Sequence, residues 1–272
     1  MPKRLPSSKA GHEEPSDSQE TFQSNDAGDF GAFPSRIFLM NRYYRYTLFG
    51  SAVLVPNSAV PSITYTENFK PTSLSSSILR TPLRIDYNRS LHDTTQCATY
   101  TEVVVANGRN HYVIGTQIWL KEDGSNIDKI ESIVTSNGDW AFNATGTLYY
   151  ASRKNWFTIP EAERDTREVI QAGGDAYLDL FNDPTVKVPW GTPCARLEGG
   201  FYTGRGLPTD SCNMGVPAGV PLVNRRYVID ETLGAVDVFL DFNGPGGRPD
   251  SHEFRLEKGK LRFVHTMTYM RG

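Results

Sequence analysis

Asp165–Asn182, DTREVIQAGGDAYLDLFN, opens a run to Tyr269 whose pattern sets the expected fold. Val169, Ile170, Ala172, Ala176, Tyr177, Leu180 and Phe181 recur at three- and four-residue spacing, the mark of an amphipathic helix. Pro160-Glu161 reads as its start, with acidic residues in the first turn, and Asp183-Pro184 as its stop. The helix is therefore expected from about Glu161 to Asn182. A Gly-rich turn with two cysteines follows, in PWGTPCARLEGGFYTG (189–204) and DSCNMGVPAGV (210–220). Two alternating hairpin segments close the run, RRYVIDETLGAVDVFLDF (225–242) and SHEFRLEKGKLRFVHTMTY (251–269). One helix followed by curved antiparallel strands predicts an α+β fold, a cone around a pocket with a few polar groups in it.

Upstream, Leu83 to Tyr150 reads as β. CATYTEVVV, HYVIGTQIWL and IDKIESIVT alternate, and EDGSN supplies an Asp-Gly turn, so a meander is expected. TYTEVVV, HYVIGTQIWLKEDG and IDKIESIVT are echoed later by AVDVFLDF, SHEFRLEKG and KLRFVHTMT. The echo predicts two related units. The first has no comparable helix, because SAVPSITYTENFKPTSLSSSILRTP (58–82) is broken by prolines and serines; it reads as a degraded copy. Residues 1–35 are rich in Ser, Glu, Asp, Gly and Pro and read as a disordered tail. The domain reading is thus 1–35 tail, 36–155 first unit and 156–272 second unit. Arg36–Pro56 is apolar and aromatic but interrupted by Arg36, Arg42 and Arg45, and does not read as an ordinary signal peptide; it leaves localisation open.

The chain has 272 residues, 38% of them hydrophobic, and a formal charge of −3. That balance gives no pull toward nucleic acid. No stretch approaches the roughly 18 apolar residues of a membrane span. Cys194 and Cys212 bracket the Gly/Pro/Thr-rich loop, and a disulfide between them is worth roughly 3 kcal/mol in the loop-entropy model. Cys97 lies on an alternating segment and reads as a buried thiol. Asn88-Arg-Ser90 and Asn143-Ala-Thr145 are glycosylation sequons. Histidines and cysteines show no metal-ligand spacing, and phosphate-binding glycine motifs are missing, so no cofactor is expected.

Strings such as HDTTQCATYTEVVV, IVTSNGDWAFNATGTLYYAS, VIQAGGDAYLDLFND, VKVPWGTPCARLEGG and PDSHEFRLEKGKLRFVHT resemble an uncharacterised fungal domain family, over about Ile63–Thr268. That family is related to SnoaL-like and ketosteroid-isomerase-like cones. The resemblance implies secretion for most members. It also implies a range of activities, from isomerases, dehydratases and polyketide cyclases to binding modules, including cyclases that dimerise maleic-anhydride monomers.

For chemistry, an imidazole among apolar walls can take and return a proton near neutrality. Alternation places His252 and His265 together on the apolar face of the last hairpin, as near cross-strand partners. His252 is the leading acid–base candidate, with His265, Asp230 and Tyr177 beside it; the competing reading, the more common one for a single buried histidine, is a core ring bonded to backbone. Arg196, Trp190, Glu198 and Tyr202 are candidate substrate-binding residues, Arg196 for an anionic group. Asp237 and Asp241 read as exposed on the polar face, and Asp175 and Asp179 as a solvated helix face. The expected function is cofactor-free acid–base catalysis (cyclase, isomerase or dehydratase) on an apolar, polyketide-like metabolite. The competing readings are a secreted cone that binds an apolar ligand without chemistry, and a duplicated fold kept for homodimerisation.

Overall fold

A computed structural model describes residues 63–121 and 126–271. The expected tail, the apolar opening segment and most of the EDGSN turn lie outside the described residues. Among the described residues twelve strands form two six-stranded mixed sheets. The first holds β1 (Thr64–Glu67), β2 (Lys70–Pro71), β3 (Tyr87–Asp93), β4 (Ala98–Val105), β5 (Tyr112–Leu120) and β6 (Ile127–Thr135). The second holds β7 (Trp190–Glu198), β8 (Phe201–Tyr202), β9 (Leu222–Asp230), β10 (Ala235–Phe242), β11 (Arg248–Glu257) and β12 (Lys260–Thr268). Two α-helices occur among the described residues, α1 (Ala144–Ala151) and α2 (Arg167–Leu180). The expected α+β cone is therefore corrected: the described residues are mostly β. Helix-period reading of 161–182 overweighted one element against twelve strands, several of which carry no clean alternation.

The two related units are evident. The sheet orders are β2-β1-β6-β5-β4-β3 and β8-β7-β12-β11-β10-β9. In each, a short hairpin supplies one strand parallel to the last strand of a four-stranded antiparallel meander. The segment read as broken in the first unit holds β1, β2 and two 3-10 turns, at Leu74–Ser76 and Ile78–Arg80.

The sheets pack through their inner faces, where Leu91, Tyr100, Val104, Val113 and Ile133 of the first meet Val228, Ala235, Phe239 and Met267 of the second. That interface is also polar. Gln117 Nε2 donates to Asp237 at 2.7 Å, Ser251 Oγ donates to the same carboxylate at 2.6 Å, and Arg89 pairs with Glu253. Burial on both faces is why alternation misplaced Asp237 and Asp241, which are buried rather than exposed.

The outer face of the second sheet carries α2. Thr166 caps the helix by accepting from Val169 N, which starts it later than Pro160 predicts; Glu161–Glu163 is a separate 3-10 turn. Its buried stripe is Ile170, Gly173, Gly174, Tyr177 and Leu178, followed by Phe181. The glycines set the approach distance: a Cβ on Gly173 would lie 2.4 Å from Leu256 Cδ2. Asp175 and Asp179, expected to be solvated, both pair with Arg225 of β9 and tie the helix to the sheet edge.

Candidate functional site

Between α2, the outer face of the second sheet and the loop before β9 lies a cavity of about 610 Å³. The floor comes from alternate residues of neighbouring strands. Asp250 pairs with Thr268, His252 with Thr266, and Thr266 in turn with Glu198 of β7. Tyr177 and Phe181 of α2 form one wall, and Gly215, Val216, Pro217 and Val220 another. Trp140, Phe242, Arg248 and Met270 complete the lining.

His252 is buried, and its Nδ1 bonds the Asp250 carboxylate, two residues away on the same face. Thr268 Oγ1 donates to the other oxygen of Asp250. With Nδ1–H donating to a carboxylate, the lone pair of the neutral ring sits on Nε2. Nε2 makes no hydrogen bond to a described residue, and the ring lines the cavity. The rings of Tyr177, Phe181 and Phe254 surround the imidazole at 5.9 Å between centroids. Burial pushes the Tyr177 phenol well above its ordinary pKa, so the hydroxyl stays a donor. Arg196 Nη1 donates to that hydroxyl at 3.4 Å, and Nε faces Glu198 Oε1 at 2.9 Å.

The candidates named from sequence thus divide. His252, Tyr177, Arg196 and Glu198 come together at the cavity. Trp190 stands behind it, edge-on to Tyr177 at 5.8 Å. Tyr202 lies elsewhere, stacked on Tyr150 at 4.2 Å. Asp230 braces the sheets, accepting from His92 N at 2.9 Å and Leu233 N at 3.1 Å, with burial raising its pKa. Asn88 and Asn143 are exposed, and Asn143 caps α1 through its Oδ1. Cys194 and Cys212 form the disulfide that fixes the start of the cavity wall. Cys97 is half-buried in the turn before β4 rather than buried on a strand.

His265 is a correction. It points through the sheet to the inner face, opposite to His252. Leu256 pairs with Leu261, but Arg255 pairs with Phe263, leaving Arg262 as a bulge. Without that extra residue His252 would face His265; with it His265 faces Glu253 and every later side chain of β12 changes sides. There His265 Nε2 lies 3.3 Å from Glu102, and Arg89 pairs with both Glu102 and Glu253. Lys154 Nζ is buried in the same neighbourhood without a hydrogen-bond partner. Burial, reinforced by Lys154 and Arg89, holds the His265 pKa well below its ordinary value, so the ring beside Glu102 is held neutral. Burial raises Glu102 to about 7 against the pull of Arg89, and lowers Lys154 to about 7. Glu102, Glu253 and His265 bring ligand atoms within 4.8 Å of one another. Arg89 already takes the place beside both carboxylates that a divalent cation would fill, so the group is an internally balanced ion network.

Residues 163–268 match the family model described as "Domain of unknown function (DUF8021)". No curated protein and no solved structure matches the chain. The DUF8021 segment runs from the turn before α2 to Thr268 and so contains the His252–Asp250 pair, Tyr177, Arg196, Glu198 and the disulfide loop. Trp140 and Met270 reach the cavity from outside it.

Asp250, Thr266, Thr268 and Arg248 were not named from sequence. The Asp-x-His spacing of Asp250 and His252 was the available signal, since two residues apart on a strand share a face. Register comparison shows what the first unit lacks. The Leu120–Ile127 pair and its adjoining bulge correspond to Leu256–Leu261, which puts Thr116 where His252 stands, Ile114 where Asp250 stands and Val134 where Thr268 stands.

Proposed function

We propose that the cavity is an acid–base site for an apolar, carbonyl-bearing small molecule, worked as a cyclase, isomerase or dehydratase without a cofactor. The observation that carries this reading is the Asp250–His252 pair, with the free Nε2 of the ring on an otherwise largely apolar cavity. Nε2 removes a proton from carbon next to the carbonyl and returns it at a second position. Asp250 holds the ring in the reactive tautomer and stabilises the imidazolium. The oxyanion of the enolate is met by the Tyr177 hydroxyl, which lies on the same cavity and accepts from Arg196 Nη1. The polyketide-derived substrate class carries over from the sequence resemblance and not from the cavity.

The test is exchange of the α-protons of 2-tetralone in deuterated buffer, followed by NMR. Wild-type protein accelerates exchange over buffer, and His252→Gln loses roughly 100-fold or more of that acceleration while keeping its melting temperature. A folded His252→Gln variant with full activity contradicts the assignment. Binding of 2-tetralone without any acceleration supports instead a carrier of apolar ligands.

A further inference from the structure

Resting on the same cavity, we infer that its ligand is an amphiphilic carboxylate, whose anionic head seats on Arg196 and whose entry is guided by Arg248.

Arg196 is the observation that carries this. Its side chain is more than nine-tenths buried, yet its charge is only partly answered. Glu198 faces Nε, and Nη1 has the long contact to Tyr177. Nη2 forms no hydrogen bond with any described residue. It points toward Gly215, where even a Cβ would come within 3.7 Å. That is ordinary van der Waals distance, so nothing at position 215 blocks Nη2, and Arg196 lines the cavity. A buried guanidinium edge is costly unless an acceptor fills it, and its two parallel N–H groups match the two oxygens of a carboxylate.

Arg248 supplies a second, independent observation. It lines the cavity from the start of β11, and its side chain has no hydrogen bond or ion pair with any described residue. Register orders the groups along the strands. Arg196 is level with Phe254, Glu198 with His252, and Arg248 stands beyond Asp250 at the exposed end. The cavity therefore has a deep cationic seat, the histidine next to it, and a cation at its mouth. Between them the walls are Phe181, Val216, Val220 and Phe242, which suit a hydrocarbon body. Of the two carboxylates nearby, Asp250 is hydrogen-bonded by His252 and Thr268, and Glu198, which lines the cavity, faces the Nε side of Arg196. At about 610 Å³ the space holds roughly twenty water-sized groups, the range of an ordinary small-molecule site.

The test is calorimetric titration of the full chain with octanoate and with octanamide, its neutral counterpart of equal length. Octanoate is expected to bind at least about tenfold more tightly than octanamide, with an affinity that falls as salt is raised. Arg196→Gln is expected to abolish that preference. Because a buried substitution can unfold the protein, Arg248→Gln at the exposed end is the companion variant, expected to weaken octanoate several-fold and to flatten the salt dependence while leaving octanamide unchanged. Equal binding of the two ligands, absence of octanoate binding at millimolar concentration, or wild-type octanoate affinity in folded Arg248→Gln overturns the inference. The titration involves no turnover. Carboxylate preference without 2-tetralone exchange sinks the catalytic reading alone, and exchange without carboxylate preference sinks this inference alone.

Discussion

Arg89 is a buried charge between the sheets, and two carboxylates from different sheets answer it. Glu253→Ala leaves that guanidinium short of its closest partner, and loss of about 3–5 kcal/mol of unfolding free energy is expected in urea titration. A loss within about 0.5 kcal/mol would show that the pair is solvated. His265 gives the same network a pH dependence. Its folded pKa lies below the unfolded value of about 6.5, so the unfolded chain binds the proton first. Its contribution is present above that pH and is lost as pH falls below it. Glu102 works in the opposite sense, because a raised folded pKa makes stability fall as pH rises from about 4.5 to about 7. The His265 part is isolated by comparison with His265→Asn. Wild type should lose more melting temperature than the variant between pH 7 and pH 5, and parallel curves would contradict the assigned direction. None of this network was legible in the sequence, since one bulged residue, Arg262, decides which face His265 takes. Bulges leave no reliable mark on the alternation of a strand buried on both faces.

At the scale of elements, α2 was legible as a helix with its stop at Asp183-Pro184, and its start was not, because Thr166 caps it six residues after the proline. The meanders and their echo were legible from alternation and length. The parallel strands β1 and β7 were harder, since their partners are far along the chain and their segments carry prolines. Gly173 and Gly174 are contact residues against Leu256 and Phe254. Ile170, fully buried on the same stripe, is the probe of that packing. Ile170→Asp buries an unpaired carboxylate and should cost several kcal/mol, seen as loss of cooperative unfolding or of soluble protein. An unchanged melting curve would contradict the placement. The wall segment after Cys212 is held at one end by the disulfide and at the other by Val220 N donating to Phe181 O at 2.9 Å. Cys212→Ser should lower stability by roughly 3 kcal/mol and weaken octanoate binding, whereas unchanged binding would show the wall to be set by its other contacts.

The described residues form a pair of like-ordered sheets placed inner face to inner face, with the polar network between them and the cavity on one outer side. The duplication is not a duplication of chemistry. Where the second sheet has Asp250, His252 and Thr268, the first has Ile114, Thr116 and Val134, and Thr116 hydrogen-bonds Ser132 at 2.9 Å instead. The first unit on this account supports, and the second acts. The described helices include none long and apolar enough to cross a membrane. The claim on which the account depends is that His252 presents an unprotonated Nε2 to whatever occupies the cavity. With five histidines in the chain, nitrogen NMR of labelled imidazole resolves it directly. The neutral His252 ring is expected to carry its proton on Nδ1, Asp250→Asn to remove this preference, and added 2-tetralone to shift the His252 Nε2 resonance while leaving that of His265 in place. A neutral His252 with its proton on Nε2, or a ligand that moves His265 and not His252, would contradict the claim.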